Sequence, residues 1–146
     1  MENQTKDNWL VKESIDTSIN SLQPEQIYER LLSLLEKNSN VTDIAQIKSD
    51  MLEREKIHSP MIKDHIYVPH ATTQGVNSFT LAIGIVNHTD IYVLVVWNKP
   101  TPHNIKFMAA VMEYLLSEKN QQTLLNSENP DKLYASIRQA LHKYKI

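Results

Sequence analysis

Ile91 to Trp97 is an unbroken run of β-branched, aliphatic and aromatic residues. A run without polar alternation suits a strand covered on both faces. A sheet built on such a strand needs helices on either side. Upstream, Phe79, Leu81, Ile83 and Ile85 alternate with Thr80, Ala82, Gly84 and Val86, which predicts a second strand. Asn87-His88-Thr89-Asp90 between the two reads as a hairpin turn. Ile66-Tyr67-Val68 is short and β-prone, and Pro69 ends it or marks a sheet edge. Trp9, Leu10, Val11 and Ile15 are read as a further short strand.

Helical spacing supplies the covering layers. Pro24 suits a first helical residue, and Ile27, Leu31, Leu34 and Leu35 follow on one face. Thr42 is expected to cap a second helix that carries Ile44, Ile47 and Met51 and runs to about Lys56. Ser59-Pro60 stops it, since the residue before proline leaves the helical region. Pro102 opens a third helix with Ile105, Met108, Ala109, Met112, Leu115 and Leu116 on one stripe. Asn120 to Asn126 is a short segment, and Pro130 opens a last helix with Leu133, Ile137, Ala140 and Leu141. The fold class is therefore α/β (α+β), a central mixed β-sheet flanked by helices on both faces. Residues 9–146 are read as a single domain behind a flexible lead-in over residues 1–8, because polar chain ends order poorly.

Composition removes several kinds of chemistry. The 146 residues include 2 glycines and 0 cysteines. Neither G-x-G-x-x-G nor a P-loop can be written with Gly75 and Gly84 alone. Without cysteine there is no disulfide, thiol nucleophile or thiolate metal site. Any phosphate chemistry must therefore use side chains or helix N-termini. A net charge of -2 leaves no basic footprint for nucleic acid. The longest apolar run is far short of the roughly 20 residues that span a bilayer. The polar N-terminus does not read as a signal peptide. A cytoplasmic protein without direct membrane insertion is expected.

The 6 histidines are the candidate reactive groups. His142 and His88 read as surface residues. His70 follows a strand and a proline, in Val68-Pro69-His70-Ala71-Thr72-Thr73, with a small polar stretch to Gly75 behind it. His103 opens the third helix just after the apolar strand, where free N–H groups and the helix dipole favour an anion. The two histidines are expected at neighbouring strand ends, facing one anionic group. A zinc site from His58, His65 and His70 is the rival. It is disfavoured because His65 and His70, an odd number apart on one strand, would face opposite ways. HExxH and G-x-S-x-G are both missing. No metal and no cofactor is expected.

Leu52-Glu53-Arg54-Glu55 closing a helix, a loop, and then Ile66-Tyr67-Val68-Pro69-His70 resembles a known signature. It is that of enzyme IIA of the phosphoenolpyruvate-dependent sugar phosphotransferase system, fructose/mannitol class. Lys99-Pro100-Thr101-Pro102-His103 is similar to that family's second histidine site, where a helix opens after the central strand. The Pro-His motif, polar loop, Val76 and Leu81-Ala82-Ile83 look most like the galactitol-type branch. The similarity runs from about Leu10 to the C-terminus.

The resemblance implies the IIA fructose/mannitol-type fold and a phosphohistidine carrier. A histidine phosphoprotein would donate the phosphoryl group to His70. A IIB component would accept it, usually on a cysteine, for sugar uptake. His103 would orient His70 or stabilise phosphoryl oxygens, with Arg54 and Glu55 supporting the site from the helix end. From their position, Thr72 and Thr73 are expected to donate hydrogen bonds. Two other readings stay open: a IIA-like regulatory domain of a transcriptional regulator, and a IIA-like binding module without phosphotransfer.

Overall fold

In a computed structural model, which describes residues 8–20 and 23–142, the apolar run lies inside the central strand. That strand is β6 (Asp90–Trp97). Along one side β5 (Thr80–Val86) pairs antiparallel with it, from Thr80↔Val96 to Val86↔Asp90. β1 (Ile15–Ile19) lies parallel outside β5. Along the other side β3 (Ile66–Tyr67) and β4 (His70–Thr72) follow one another, both parallel to β6. β2 (Met61–Lys63) pairs antiparallel with β3. The sheet order is β1-β5-β6-β3-β2, with β4 also beside β6.

Side-chain alternation divides the interior into two cores, one on each face of the sheet. Leu81, Ile83, Ile85, Val93 and Val95 pack toward α3 (Pro102–Leu115), α4 (Glu118–Leu125) and α5 (Pro130–His142). Ala82, Val86, Leu94 and Val96 pack toward α1 (Pro24–Leu35) and α2 (Ile44–Glu55). The central strand is thus covered twice, as its lack of polar residues requires. On β5 the second face carries small residues because α1 sits close. A Cβ on Gly84 would lie 2.7 Å from Ile19 Cδ1 and 3.2 Å from Leu31 Cδ2. None of the helices among the described residues is long and apolar enough to cross a membrane.

Several local expectations change. The lead-in predicted over residues 1–8 lies, apart from Asn8, outside the described residues. The strand expected from Trp9 to Ile15 is displaced. Lys12–Ser14 form a 3-10 turn, and β1 begins at Ile15, where Ile15, Thr17 and Ile19 face inward. The cap of α2 is Asp43, not Thr42. Asp43 accepts from the Gln46 amide at 3.1 Å, while the Thr42 N–H donates to Gly75 O. β2 is a three-residue strand in a stretch whose sequence suggests a loop. His70–Thr72, expected as the start of a loop, rejoin the sheet as β4. Pro69 explains the break. It has no N–H to offer, yet its carbonyl accepts from Val95 N at 3.0 Å.

The predicted hairpin closes through Asn87 and His88, both with positive φ (55° and 58°). His65 also has positive φ, 70°, in the turn between β2 and β3. Its Nδ1 lies 2.7 Å from the Asp90 carboxylate. It is therefore a turn residue, and the opposite-faces argument made for His65 and His70 on one strand does not describe it.

Candidate active site

β4 lies beside the C-terminal half of β6, and the register His70↔Val95 and Thr72↔Trp97 puts all four on one face. Here the sheet, the end of α2 and the first turns of α3 enclose an open pocket of about 160 Å³. Its lining is Arg54, His70, Ala71, Thr72, Val95, Trp97 and Met108. Ala71, Val95, Trp97 and Met108 make an apolar wall around three polar side chains.

His70 is half-buried, and its Nδ1 lies 2.9 Å from Val68 O. A carbonyl only accepts, so Nδ1 carries the hydrogen and Nε2 keeps a free lone pair. Burial pushes the His70 pKa below the usual 6.5, and the charges of Arg54 and His58 push the same way. The bond to Val68 opposes them. The ring is therefore held neutral, in one tautomer, with Nε2 open as a nucleophile.

The lowered pKa has a consequence for stability. Below pH 6.5 an unfolded chain protonates this imidazole while folded His70 resists. Stability is expected to fall as pH drops from 6.5 through the folded value, and this contribution is complete above 6.5. Comparing denaturation of wild type and His70→Gln between roughly pH 5 and 8 isolates it. The wild type should lose ground to the variant on acidification, and a constant gap would refute the assignment.

Arg54 sits in the last turn of α2, where a cation complements the helix dipole. Its guanidinium makes no ion pair among the described residues. The charge is thus available to an anion in the pocket. Thr72 presents its hydroxyl there, and Trp97 Nε1 donates to Thr72 Oγ1 at 2.7 Å.

Three expected site residues lie off this wall. Glu55 turns the other way and receives the Tyr28 hydroxyl at 2.8 Å from each carboxylate oxygen. Burial raises the Glu55 pKa against that bond, and burial together with Glu55 raises the Tyr28 phenol well above 10. Beside them Tyr67 stacks on Tyr92 at 4.5 Å. Glu55 therefore ties the end of α2 to α1, one residue after Arg54. Tyr28→Phe is expected to cost about 1–2 kcal/mol in urea denaturation, because a half-buried carboxylate loses its donor. No loss would show that water serves Glu55 equally well. Thr73 is 2% exposed, and its Oγ1 accepts from Gly75 N at 3.1 Å. His103 is exposed on the first turn of α3, behind the cap that Thr101 gives to Asn104. α3 reaches the pocket through Met108 instead.

Sequence reasoning missed Trp97, Met108 and Val95 as pocket residues. Trp97 reads as the end of a core strand. Only the β4–β6 register shows that it shares a face with His70 and Thr72.

The family described as "Phosphoenolpyruvate-dependent sugar phosphotransferase system, EIIA 2" matches residues 8–140. The chain belongs to this EIIA family. Nitrogen regulatory protein IIA-Ntr from Neisseria meningitidis shares the fold, with TM-score 0.72 and 15% identity over 94% of this chain and 99% of that one. IIA mannitol from Escherichia coli superposes with TM-score 0.63 and 16% identity, over 90% and 97% of the two chains. The complex of Escherichia coli IIA mannitol with phosphorylated IIB mannitol gives TM-score 0.64 and 17% identity, over 90% and 95%. No curated protein sequence matches the chain. The EIIA fold expected from the Arg54-Glu55 and Pro69-His70 motifs is thus the fold observed. In this EIIA protein, Pro69 is the residue that separates β3 from β4 and sets His70 at the pocket.

Proposed function

We propose that this EIIA protein is a phosphohistidine carrier with His70 Nε2 as the acceptor. The bond between His70 Nδ1 and Val68 O carries the reading, because it fixes which nitrogen is nucleophilic. A histidine phosphoprotein is the donor. Nε2 bonds to phosphorus as the bond from phosphorus to the donor nitrogen breaks, and that nitrogen keeps the electron pair. Arg54 faces the charge on the phosphoryl oxygens, and Thr72 donates a hydrogen bond to one of them. Such positioning and electrostatic stabilisation is most of what phosphoryl transfer requires. The apolar wall limits water at phosphohistidine, which favours transfer over hydrolysis.

The acceptor is a IIB component, through a cysteine on that separate chain. The IIA mannitol fold, seen in complex with phosphorylated IIB, supports this partner. The finer reading is a carrier in the cytoplasm that serves uptake of a galactitol-type sugar, the sugar class being supported by the Val76 and Leu81-Ala82-Ile83 pattern behind His70. Glu55 supports the site indirectly, by holding the helix end that carries Arg54. Thr73 supports it by shaping the turn after β4. His103 is exposed and outside the pocket lining, so its support to the phosphoryl group is the weaker one: His103→Ala should fold and slow acceptance less than Arg54→Ala does.

Labelled phosphoenolpyruvate with enzyme I and the histidine phosphoprotein tests the reading. Acid-labile label on the protein, chased off by a IIB component, is the expected result. Label without onward transfer favours the regulatory domain. No label under any condition leaves the binding module.

A further inference from the structure

Thr72 and Trp97 are register partners across β4 and β6. The Trp97 indole N–H donates to Thr72 Oγ1 at 2.7 Å. An indole nitrogen can only donate, so the threonine oxygen accepts at this contact. The Thr72 proton must then point elsewhere, and among the described residues no acceptor takes it. Thr72 lies two residues after His70 on the same strand, hence on the same face, and both line the pocket. A free O–H donor is therefore held on the wall that carries His70.

The indole is itself fixed. Its ring packs against Phe79 with centroids 5.9 Å apart, and the main chain that carries it is held by Thr73 N, which donates to the Trp97 backbone carbonyl at 2.9 Å. An exposed threonine hydroxyl otherwise samples its rotamers and bonds to water. One pinned by a rigid indole is preorganised, and preorganised donors are the effective ones where charge develops.

We propose that Trp97 is a positioning residue that locks the Thr72 side chain so that its hydroxyl donates to an oxygen of the phosphoryl group in transfer to His70. The proposal rests on His70 being the phosphoryl acceptor. The hydroxyl keeps its proton throughout; the bonds that form and break are those at phosphorus. An indole that only walled the pocket would act independently of Thr72, whereas an indole that aims the hydroxyl has no effect once the hydroxyl is gone.

Potassium phosphoramidate tests this without any protein donor, so docking cannot enter the rate. Its phosphorus–nitrogen bond breaks, the nitrogen leaves as ammonia, and the phosphoryl group passes to His70 Nε2. Acceptance is expected to slow about tenfold in Thr72→Val and by a comparable factor in Trp97→Phe, the scale of a lost hydrogen bond to a charged group. Thr72→Ser should restore near wild-type rates. The double variant should be no slower than Thr72→Val.

Wild-type rates in Trp97→Phe, or a double variant slowed by the product of the two factors, would overturn the proposal. Should Trp97→Phe fail to fold, the indole N–H resonance of Trp97 decides. It should shift when wild-type His70 is phosphorylated and stay put in Thr72→Val, and a shift equal in both overturns the coupling. Wild-type protein that takes no label from phosphoramidate overturns the His70 assignment itself. Labelled His70 with uncoupled variants overturns only the role of Trp97.

Discussion

His70→Gln is expected to accept no phosphoryl group while folding as the wild type does. Glutamine approximates the imidazole in reach and polarity, but its amide nitrogen has no lone pair free to attack phosphorus. The loss should be at least about 10⁴-fold, as when a covalent nucleophile is removed. Arg54 and Thr72 remain in the variant, so the pocket should still attract an anion. That separates the result from simple collapse of the site. Stability should change by no more than about 1 kcal/mol near neutral pH, since the ring is half-buried and its one hydrogen bond is local. Thermal denaturation alongside the labelling assay checks both halves. Label that persists in His70→Gln would move the acceptor to another histidine, with His58 and His103 the first to be replaced.

Much of this site was legible in the sequence because proline and helix-end residues act locally. Pro69 removes one N–H and fixes one φ, and the break it makes between β3 and β4 puts His70 directly after it at the start of β4. Arg54 is readable as the end of a helix because apolar spacing stops there and Ser59-Pro60 follows. Pro102 marks the start of α3 for the same kind of local reason. Short edge strands were not legible. β2 and β4 have three residues each, and pairing partners elsewhere in the chain, not composition, make them strands. β1 was placed too early because Trp9, Leu10 and Val11 are more apolar than Ile15-Asp16-Thr17-Ser18-Ile19. Inward alternation of Ile15, Thr17 and Ile19 outweighs that difference. His103 is not among the residues that line the pocket, which α3 reaches through Met108. It stands on the first turn of that helix and is exposed, and helical spacing alone does not say which neighbouring strand it faces. Trp97 and Thr72 form a contact 25 residues apart, visible only once the register is fixed.

Gly75→Ala should destabilise the fold and weaken the site through one contact. A Cβ at position 75 would lie 2.3 Å from the Asp43 carbonyl oxygen and 2.8 Å from Ile47 Cγ1. The first of these is backbone at the start of α2, so it cannot turn away as a side-chain tip can. The Gly75 carbonyl also accepts from Thr42 N at 2.8 Å and Asp43 N at 3.0 Å, which docks this loop on the helix. Relieving the clash means pushing α2 outward, lengthening those bonds and disturbing Ile47, a fully buried residue. Overpacking of this kind costs about 1–3 kcal/mol, with the broken bonds in addition. For a chain of this size the midpoint should fall by roughly 5–12 °C. α2 carries Arg54 at its other end, so a shift of the helix also moves the guanidinium relative to His70. Phosphoryl acceptance measured well below the midpoint, where the variant is folded, should therefore slow by about the same factor as in Arg54→Ala. A variant that loses stability but keeps the wild-type rate would show that α2 pivots about its Tyr28–Glu55 tie and leaves Arg54 in place.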